Sequence, residues 1–390
     1  FGRTGTVDWQ TGSIKTATFT AVNGEGYFCN TTSGGFTVNL PAGSAGAIVS
    51  VQDYNNTFDS NALSVSPNGS EKINGGAGPV SLNTEGEGIT LVYVDSTVGW
   101  RSIQDNVFAD PGSNFISATG GTITTSGNCK IHTFTGPGTF TVAATAACAA
   151  QNIVSYMVVG AGGSSSSYSP APGGAGAGGF REVKNPVTPY TASPLDGYPT
   201  PGNHVTITAQ AYPITVGAGA GPNAAGNPSV FSTITSTAGG GGGGAPYAAG
   251  PTASGGAGGS GGGGSGGPAG TGGSGNTPPV SPSQGNNGGN GDPSPPNSSG
   301  GGGGAGAVGG TGGSSAAGGG GAGVTTNITA SPVIYAVGGA GKGLGPTADG
   351  SAATCGSAAG VAGAANRGNG AGGDGAAGGS GIVVIRYKFQ

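Results

Sequence analysis

Gly239-Gly240-Gly241-Gly242-Gly243-Gly244 opens the stretch that decides how this chain folds, and glycine runs at 261–264, 300–304 and 318–321 carry it to Gly323. Between the runs stand only Ser, Ala, Thr, Asn, Gln, Asp, Pro, Val and one tyrosine. Glycine loses more backbone freedom on folding than any other residue and brings no side chain to bury, so order here needs another source of cohesion. The only groups present in bulk are backbone N–H and C=O. Segments without side chains can lie side by side and exchange hydrogen bonds laterally, in an extended left-handed form with about three residues per turn. Every third residue from Gly255 to Gly273 is glycine, and so is every third from Gly300 to Gly312. The frame fails elsewhere, which excludes a collagen repeat. The expectation is a lattice of packed, polyglycine II-like segments, structural rather than catalytic.

Composition narrows the function classes. Of 390 residues, 93 are Gly and 26 are Pro, a level at which low complexity is the usual outcome. Charged residues make up 7% and the net charge is −4. Between Asn185 and Gly341 the formal charges are Asp196 and Asp292 alone. A nucleic-acid partner needs clustered Lys and Arg, so none is expected. No apolar run approaches the roughly 18 residues of a spanning helix, so no membrane insertion is expected. The chain opens at Phe1 without Met or a leader pattern, so its start is expected to have been cleaved or to lie upstream. Of the four cysteines, Cys129 and Cys148 flank an expected hairpin and form a candidate disulfide, whereas Cys29 and Cys355 have no evident mate.

Outside the glycine tract the sequence reads as β throughout. Residues 1–108 form an expected N-terminal sandwich- or barrel-like module. Its short runs rich in β-branched and aromatic residues are 14–20, 26–30, 36–40, 47–53, 62–66, 88–95 and 99–104. Asn23-Gly24, Pro41-Ala42-Gly43, Asn68-Gly69 and Asn74-Gly75 punctuate them. Residues 109–390 form an expected C-terminal β base with glycine-rich segments at 160–180, 217–228, 238–323 and 338–381. Strands are expected at 115–125, 129–135 and 138–142. A recurring transition follows: 153–159 empties into Gly160, Tyr212–Val216 into Gly217, 230–236 into the long tract, and 333–337 into Gly338. At the end Gly381 leads into Ile382-Val383-Val384-Ile385-Arg386-Tyr387. Strands thus form a base from which glycine segments project as ordered loops. Two loops, 185–203 and 276–299, are rich in proline, which stiffens a loop.

These segments carry a resemblance. Phe1-Gly2-Arg3-Thr4-Gly5-Thr6-Val7 resembles a junction motif of bacteriophage tail-fibre proteins. Lys130–Gly136, Tyr156–Gly163, Gly178-Gly179-Phe180-Arg181-Glu182 and Gly381–Tyr387 are similar to the glycine-rich distal domains of such fibres. The similarity spans nearly the whole chain. It departs from the pattern at Ser164–Ser167 and Tyr168, where a glycine tract is usual. The resemblance implies a non-enzymatic, extracellular or virion-surface fibre protein that recognises a cell-surface glycan or protein receptor. The alternative, of another class, is the protomer of a self-polymerising filament. Low surface charge favours self-association in either case, as a homotrimer or a helical polymer.

Chemical motifs are sparse. Gly174, Gly176 and Gly179 satisfy a dinucleotide-binding spacing, but Phe180 to Pro186 cannot open a helix. Lys342 is followed by Gly343 where a phosphate-binding loop requires Ser or Thr. Cys129 and His132 have metal-like spacing, yet residues three apart on a strand point to opposite faces. Asp53, Asp59, Asp95, Asp105 and Asp110 sit where carboxylates cap turns, and Glu85 and Glu87 suit a solvated hairpin tip. Without complementary roles no catalysis, metal or cofactor is expected. Tyr168, Tyr190, Tyr198 and Tyr247 are the candidate surface-recognition residues, although each alone is more simply a gap filler. Phe1, Arg3, Val7 and Trp9 are inter-subunit candidates, since an extended polar segment can join a neighbour's open sheet edge.

Overall fold

The computed structural model describes residues 7–103, 115–146, 148–167, 171–222, 226–244, 253–267 and 270–389. The protein is all-β, as expected: among these residues no α-helix occurs, and Ala149–Asn152 and Pro201–Asn203 are single 3-10 turns. The chain divides into two compact units, Phe1–Asn114 and Phe115–Gln390. The boundary expected at 108 falls outside the described residues.

The first unit contains β1 (Asp8–Trp9), β2 (Phe19–Thr20), β3 (Glu25–Cys29), β4 (Thr37–Asn39), β5 (Ile48–Asp53), β6 (Leu63–Ser66), β7 (Lys72–Ile73), β8 (Gly76–Ala77), β9 (Val80–Leu82), β10 (Gly88–Asp95) and β11 (Gly99–Ser102). Two facing sheets appear, in the orders β1-β3-β5-β10-β11-β7-β8 and β2-β4-β6-β9. Their connection differs from an ordinary sandwich. β1, β3 and β5 are parallel neighbours in one sheet, and β2, β4 and β6 are parallel neighbours in the other. The chain therefore winds as a coil, one strand per sheet per turn. Antiparallel β10 on β5 and β9 on β6 close the winding. Alternation along each strand sends Val49, Val51, Ile89 and Leu91 inward from one sheet to meet Val38, Leu63, Val65 and Leu82 from the other. Trp100 and Phe58 are wholly buried in that core.

The second unit contains β12 (Ser117–Thr119), β13 (Thr122–Ser126), β14 (Cys129–Phe134), β15 (Gly138–Ala144), β16 (Ser155–Val159), β17 (Phe180–Val183), β18 (Ala211–Thr215), β19 (Ser229–Phe231), β20 (Ile234–Ser236), β21 (Val324–Thr326), β22 (Val333–Tyr335) and β23 (Ile382–Lys388). Its central sheet runs β13-β14-β23-β16-β17 and a second runs β12-β15-β18-β19-β20, while β21 and β22 pair apart. Two expected strands are broken by turns. The 115–125 run splits at Gly120 (φ +111°) and Gly121 (φ +63°), and the 230–236 run folds into a hairpin about Ser232 (φ +53°). The central sheet is covered on both faces. Tyr156, Val158, Val383, Ile385 and Tyr387 pack against Phe140, Ile214 and Phe231 of the second sheet. On the reverse, Met157, Val159, Ile382 and Val384 meet Phe180, Val324, Tyr335 and Ala336.

From this base the strands run directly into glycine rods. The β16–β17 pairing that ends at Val159 and Phe180 continues as Gly160 N–H to Gly179 O and Gly163 N–H to Gly176 O. Rod 173–179 shows how the lattice is held. Gly173, Gly176 and Gly179 donate to Gly243, Gly240 and Thr237, whereas Gly174 and Ala177 donate to Gly300 and Gly303. Ala175 and Gly178 donate to Ala371 and Gly368. Successive residues thus address three different neighbours, and every third residue returns to the same one. The rod's carbonyls accept from three more, through Gly160 and Gly163, Ser260 and Gly263, and Gly339. Rod 299–305 is likewise hydrogen-bonded to six others, around residues 174–177, 261–264, 286–289, 307–310, 318–321 and 336–339. This is hexagonal packing of polyglycine II helices, with interior backbone groups satisfied largely from neighbouring rods.

The bonds also order the rods into layers. Rods 270–275, 286–291 and 307–312 lie outermost, 260–266 and 299–305 beneath them, then 237–243, 173–179 and 336–341, then 160–165 and 368–373. Glycine is required at most inside positions because rods lie too close for a Cβ, while Ala175 and Ala177 place their methyls where the neighbours leave room. A Cβ on Gly302 would stand 1.9 Å from Ala175 O, and one on Gly174 would stand 2.1 Å from Gly339 O. None of the glycines in rods 173–179, 260–266 and 299–305 lies in the left-handed region, so close approach, not backbone freedom, selects them.

Candidate recognition surface

The rods leave the sheets together and reverse together. At the end away from the strands lie residues 164–167 with 171–172, 265–267 with 270, and the reversals 291–298, 312–317, 342–349 and 373–376. They are tied to one another. Ser299 Oγ donates to Pro172 O at 2.8 Å, Ser298 Oγ donates to Gly313 O at 2.7 Å, and Ser298 bridges Gly343. Lys342 Nζ lies 3.3 Å from Asp349 and 3.6 Å from Asp374, joining two of these turns through partly exposed ion pairs. Asp349 Oδ1 also accepts from Gly343 N–H at 3.0 Å. Pro293, Ser294, Pro295, Ser314, Ser315, Pro346, Asp349 and Asp374 remain exposed. The result is a polar, proline-stiffened end surface whose loops are anchored on both sides by lattice rods.

The sequence candidates distribute unevenly over this geometry. Tyr168 and Tyr247 lie outside the described residues, as do Phe1 and Arg3. Ser166 and Gly244 come together at the end surface, where a Cβ on Gly244 would meet the Ser166 side chain. Tyr190 and Tyr198 are elsewhere, in the 185–203 loop that folds over the central sheet. Tyr190 packs in the reverse-face core with the Arg386 guanidinium 5.1 Å from its ring, and burial pushes its hydroxyl pKa far up. Tyr198 stacks on His204 with ring centroids 4.6 Å apart. Both rings pack within the protein and remain partly exposed. Proline-rich 276–285 is also a clamp, since wholly buried Gln284 accepts from Thr237 N–H and donates to Pro278 O.

Other candidates resolve in the same direction. Val7 and Trp9 lie over their own Gly26, and Trp9 packs at 5.0 Å on Phe28 while β1 pairs with β3 of the same chain. All four cysteines are free, with Cys129 buried and Cys148 exposed, so the candidate bridge between those two is not formed. His132 is wholly buried, contacting Gly120 O through Nδ1 at 2.7 Å and the Tyr387 hydroxyl through Nε2 at 3.0 Å; burial lowers its pKa. Neighbouring Ile131 faces the opposite core, as strand alternation requires. Asp53 accepts from Phe58 and Gly86 N–H groups, Asp95 from Thr97 and Val98, and Glu87 from Asn83 and Thr84. These carboxylates are turn caps.

One acid escaped the sequence reading. Glu182 on β17 is 2% exposed, accepts from Ser193 N–H at 2.8 Å and from the Thr326 hydroxyl, and burial raises its pKa. It ties the 185–203 loop to β21. Nothing local distinguishes it from a surface strand residue, because its inward direction follows from the second cover on the sheet. Among the described residues no group of three or more His, Cys, Asp or Glu side chains could hold a metal ion.

No curated protein matches the sequence. A glycine-rich domain family model matches residues 132–388, which takes in the central sheet from β14 to β23 together with the lattice rods and the end surface. The chain therefore belongs to the glycine-rich domain family.

Proposed function

We propose that this chain is a non-enzymatic fibre-tip protein of the bacteriophage tail-fibre kind, displayed extracellularly or on a virion and adhering to a cell-surface receptor through the end surface of its lattice. The observation that carries this reading is the convergence of the rod reversals at one end, away from the sheets. Loops held by rods on either side are ordered before binding, which reduces the conformational entropy lost on contact. Loops on rigid scaffolds are the usual seat of recognition. The sequence resemblance supports the same reading.

The test exchanges loops while keeping rods. Residues 293–296 and 344–348 are each replaced by Gly-Ser segments of equal length, and binding of the full chain to intact bacterial cells is measured beside its thermal melt. Cell binding should fall at least about tenfold with little change in melting, a loss of about 1.4 kcal/mol. Equal binding by the exchanged chains would remove the end surface as the recognition site.

A further inference from the structure

The outermost layer of rods repeats one pattern three times. Thr271-Gly272-Gly273-Ser274, Asn287-Gly288-Gly289-Asn290 and Val308-Gly309-Gly310-Thr311 stand on adjacent rods, and the six residues that are not glycine are all exposed. Cross-rod bonds fix their register. Gly272 N–H donates to Asn290 Oδ1 and Gly275 N–H to Asn287 Oδ1, both at 2.8 Å, while Gly309 and Gly312 donate to Asn287 O and Asn290 O. Thr271, Asn290 and Thr311 therefore form one row, and Ser274, Asn287 and Val308 form the next, about 9 Å along the rods.

Backbone groups on this face are also left over. In each rod two residues of every three donate into the lattice, and the N–H groups of Thr271, Ser274, Asn287, Asn290, Val308 and Thr311 donate to no acceptor among the described residues. The carbonyls of partly exposed Gly272 and Gly288 likewise accept from no donor among the described residues. A further glycine rod would need the Cβ-free approach seen inside the lattice, and the six side chains bar it. An added β-strand fits no better, because its side chains repeat every two residues at about 6.6 Å, not about 9 Å. No formally charged residue lies in the layer.

We propose that this layer is a binding face for a neutral polysaccharide. Resting on the adhesive reading above, it names the ligand class. Sugar hydroxyls donate and accept, so they can reach both kinds of free backbone group between the side chains and bond to the Thr, Ser and Asn tips. An uncharged face matches an uncharged polymer and gives no attraction to a polyanion.

The full chain is tested for co-sedimentation with insoluble cellulose and mannan, with alginate beads as the anionic comparison. A Thr271→Glu/Ser274→Glu/Thr311→Glu variant places charges over the free N–H groups at exposed positions, and Thr271→Ala/Thr311→Ala removes only hydroxyls. Expected are binding to a neutral polymer, at least about a tenfold loss in the triple variant and a smaller loss in the double variant, all with unchanged melting. Equal binding by the triple variant, preference for alginate, or absence of binding to both neutral polymers overturns the proposal. If cells are bound through the end loops while neutral polymers are not, the adhesive reading stands and this face falls alone. If neutral polymers bind while loop exchange leaves cell binding intact, the end-surface reading falls instead.

Discussion

The first unit and the glycine lattice are built on opposite principles. In the coil of β1 to β11 large side chains fill the space between two sheets, and backbone bonding lies within the sheets and their turns, not between the sheets. In the lattice no large side chain stands between rods 173–179, 260–266 and 299–305, and the backbone bonds in several directions at once. One core is specified by shape and volume, the other by the absence of a Cβ. Removing atoms should therefore damage the first, and adding them should damage the second.

The sharpest break of this contrast uses one substitution in each region. Trp100→Ala empties a fully buried site and removes the Nε1–H donor to Glu71, and should destabilise the first unit by about 3–5 kcal/mol in denaturant unfolding. Gly302→Ala adds a single methyl, yet the atom it meets is backbone O of Ala175, which cannot swing aside. The expected loss is about 3 kcal/mol, at the upper end of ordinary overpacking. A neutral Gly302→Ala would mean that the rods are farther apart than close packing requires. Ala175→Gly works in the reverse sense. Its methyl packs with Ala371 and Ala376, and its removal should cost about 1 kcal/mol through lost burial and a freer unfolded chain.

A subtler contrast concerns titration. The raised Glu182 pKa means that the folded chain keeps a proton which the unfolded chain releases above about pH 4.3. Stability therefore falls as pH rises from that value through the folded pKa. Glu182→Gln keeps an acceptor for Ser193 N–H and a partner for Thr326, so it should flatten this slope and equal or exceed the parent in stability at pH 7. An unchanged slope in urea titrations across pH would assign it elsewhere. Smallest of all, Val308→Thr on the outer layer should shift stability by less than about 0.5 kcal/mol, since that side chain is 63% exposed.

Much of this was legible in sequence, but unevenly. The passage of strands into glycine was readable because runs of apolar and β-branched residues stop abruptly at Gly160, Gly217 and Gly338. The polyglycine II lattice was readable because no other cohesion was available to residues 239–323. The triplet frame was less informative than it looked. From Gly255 to Gly264 it crosses a reversal, with Gly255 and Gly258 donating to Thr271 and Ser274 but Gly261 and Gly264 donating to Asn286 and Gly289 from another rod. The three x-Gly-Gly-x repeats escaped notice because outwardness depends on which rods are neighbours, a property no single segment carries. The packing of Tyr190 was hidden for a similar reason: proline and aromatic content suggested display, while the second cover on the central sheet takes up part of the ring. Short strands such as β7 and β8 offered only two residues each to a pattern that needs four or more.

The crossed ladders of the lattice have a mechanical meaning. A pull on the turn around Pro295 acts along rods 286–291 and 299–305, and so runs parallel to their length. The hydrogen bonds that hold each rod lie across that direction and are loaded in shear, with rod 299–305 gripped from six sides at once. Such bonds yield together rather than one after another, whereas a pair of strands peeled from one end unzips bond by bond. Tension applied where the loops are would be shared across the lattice cross-section before any single rod could slide.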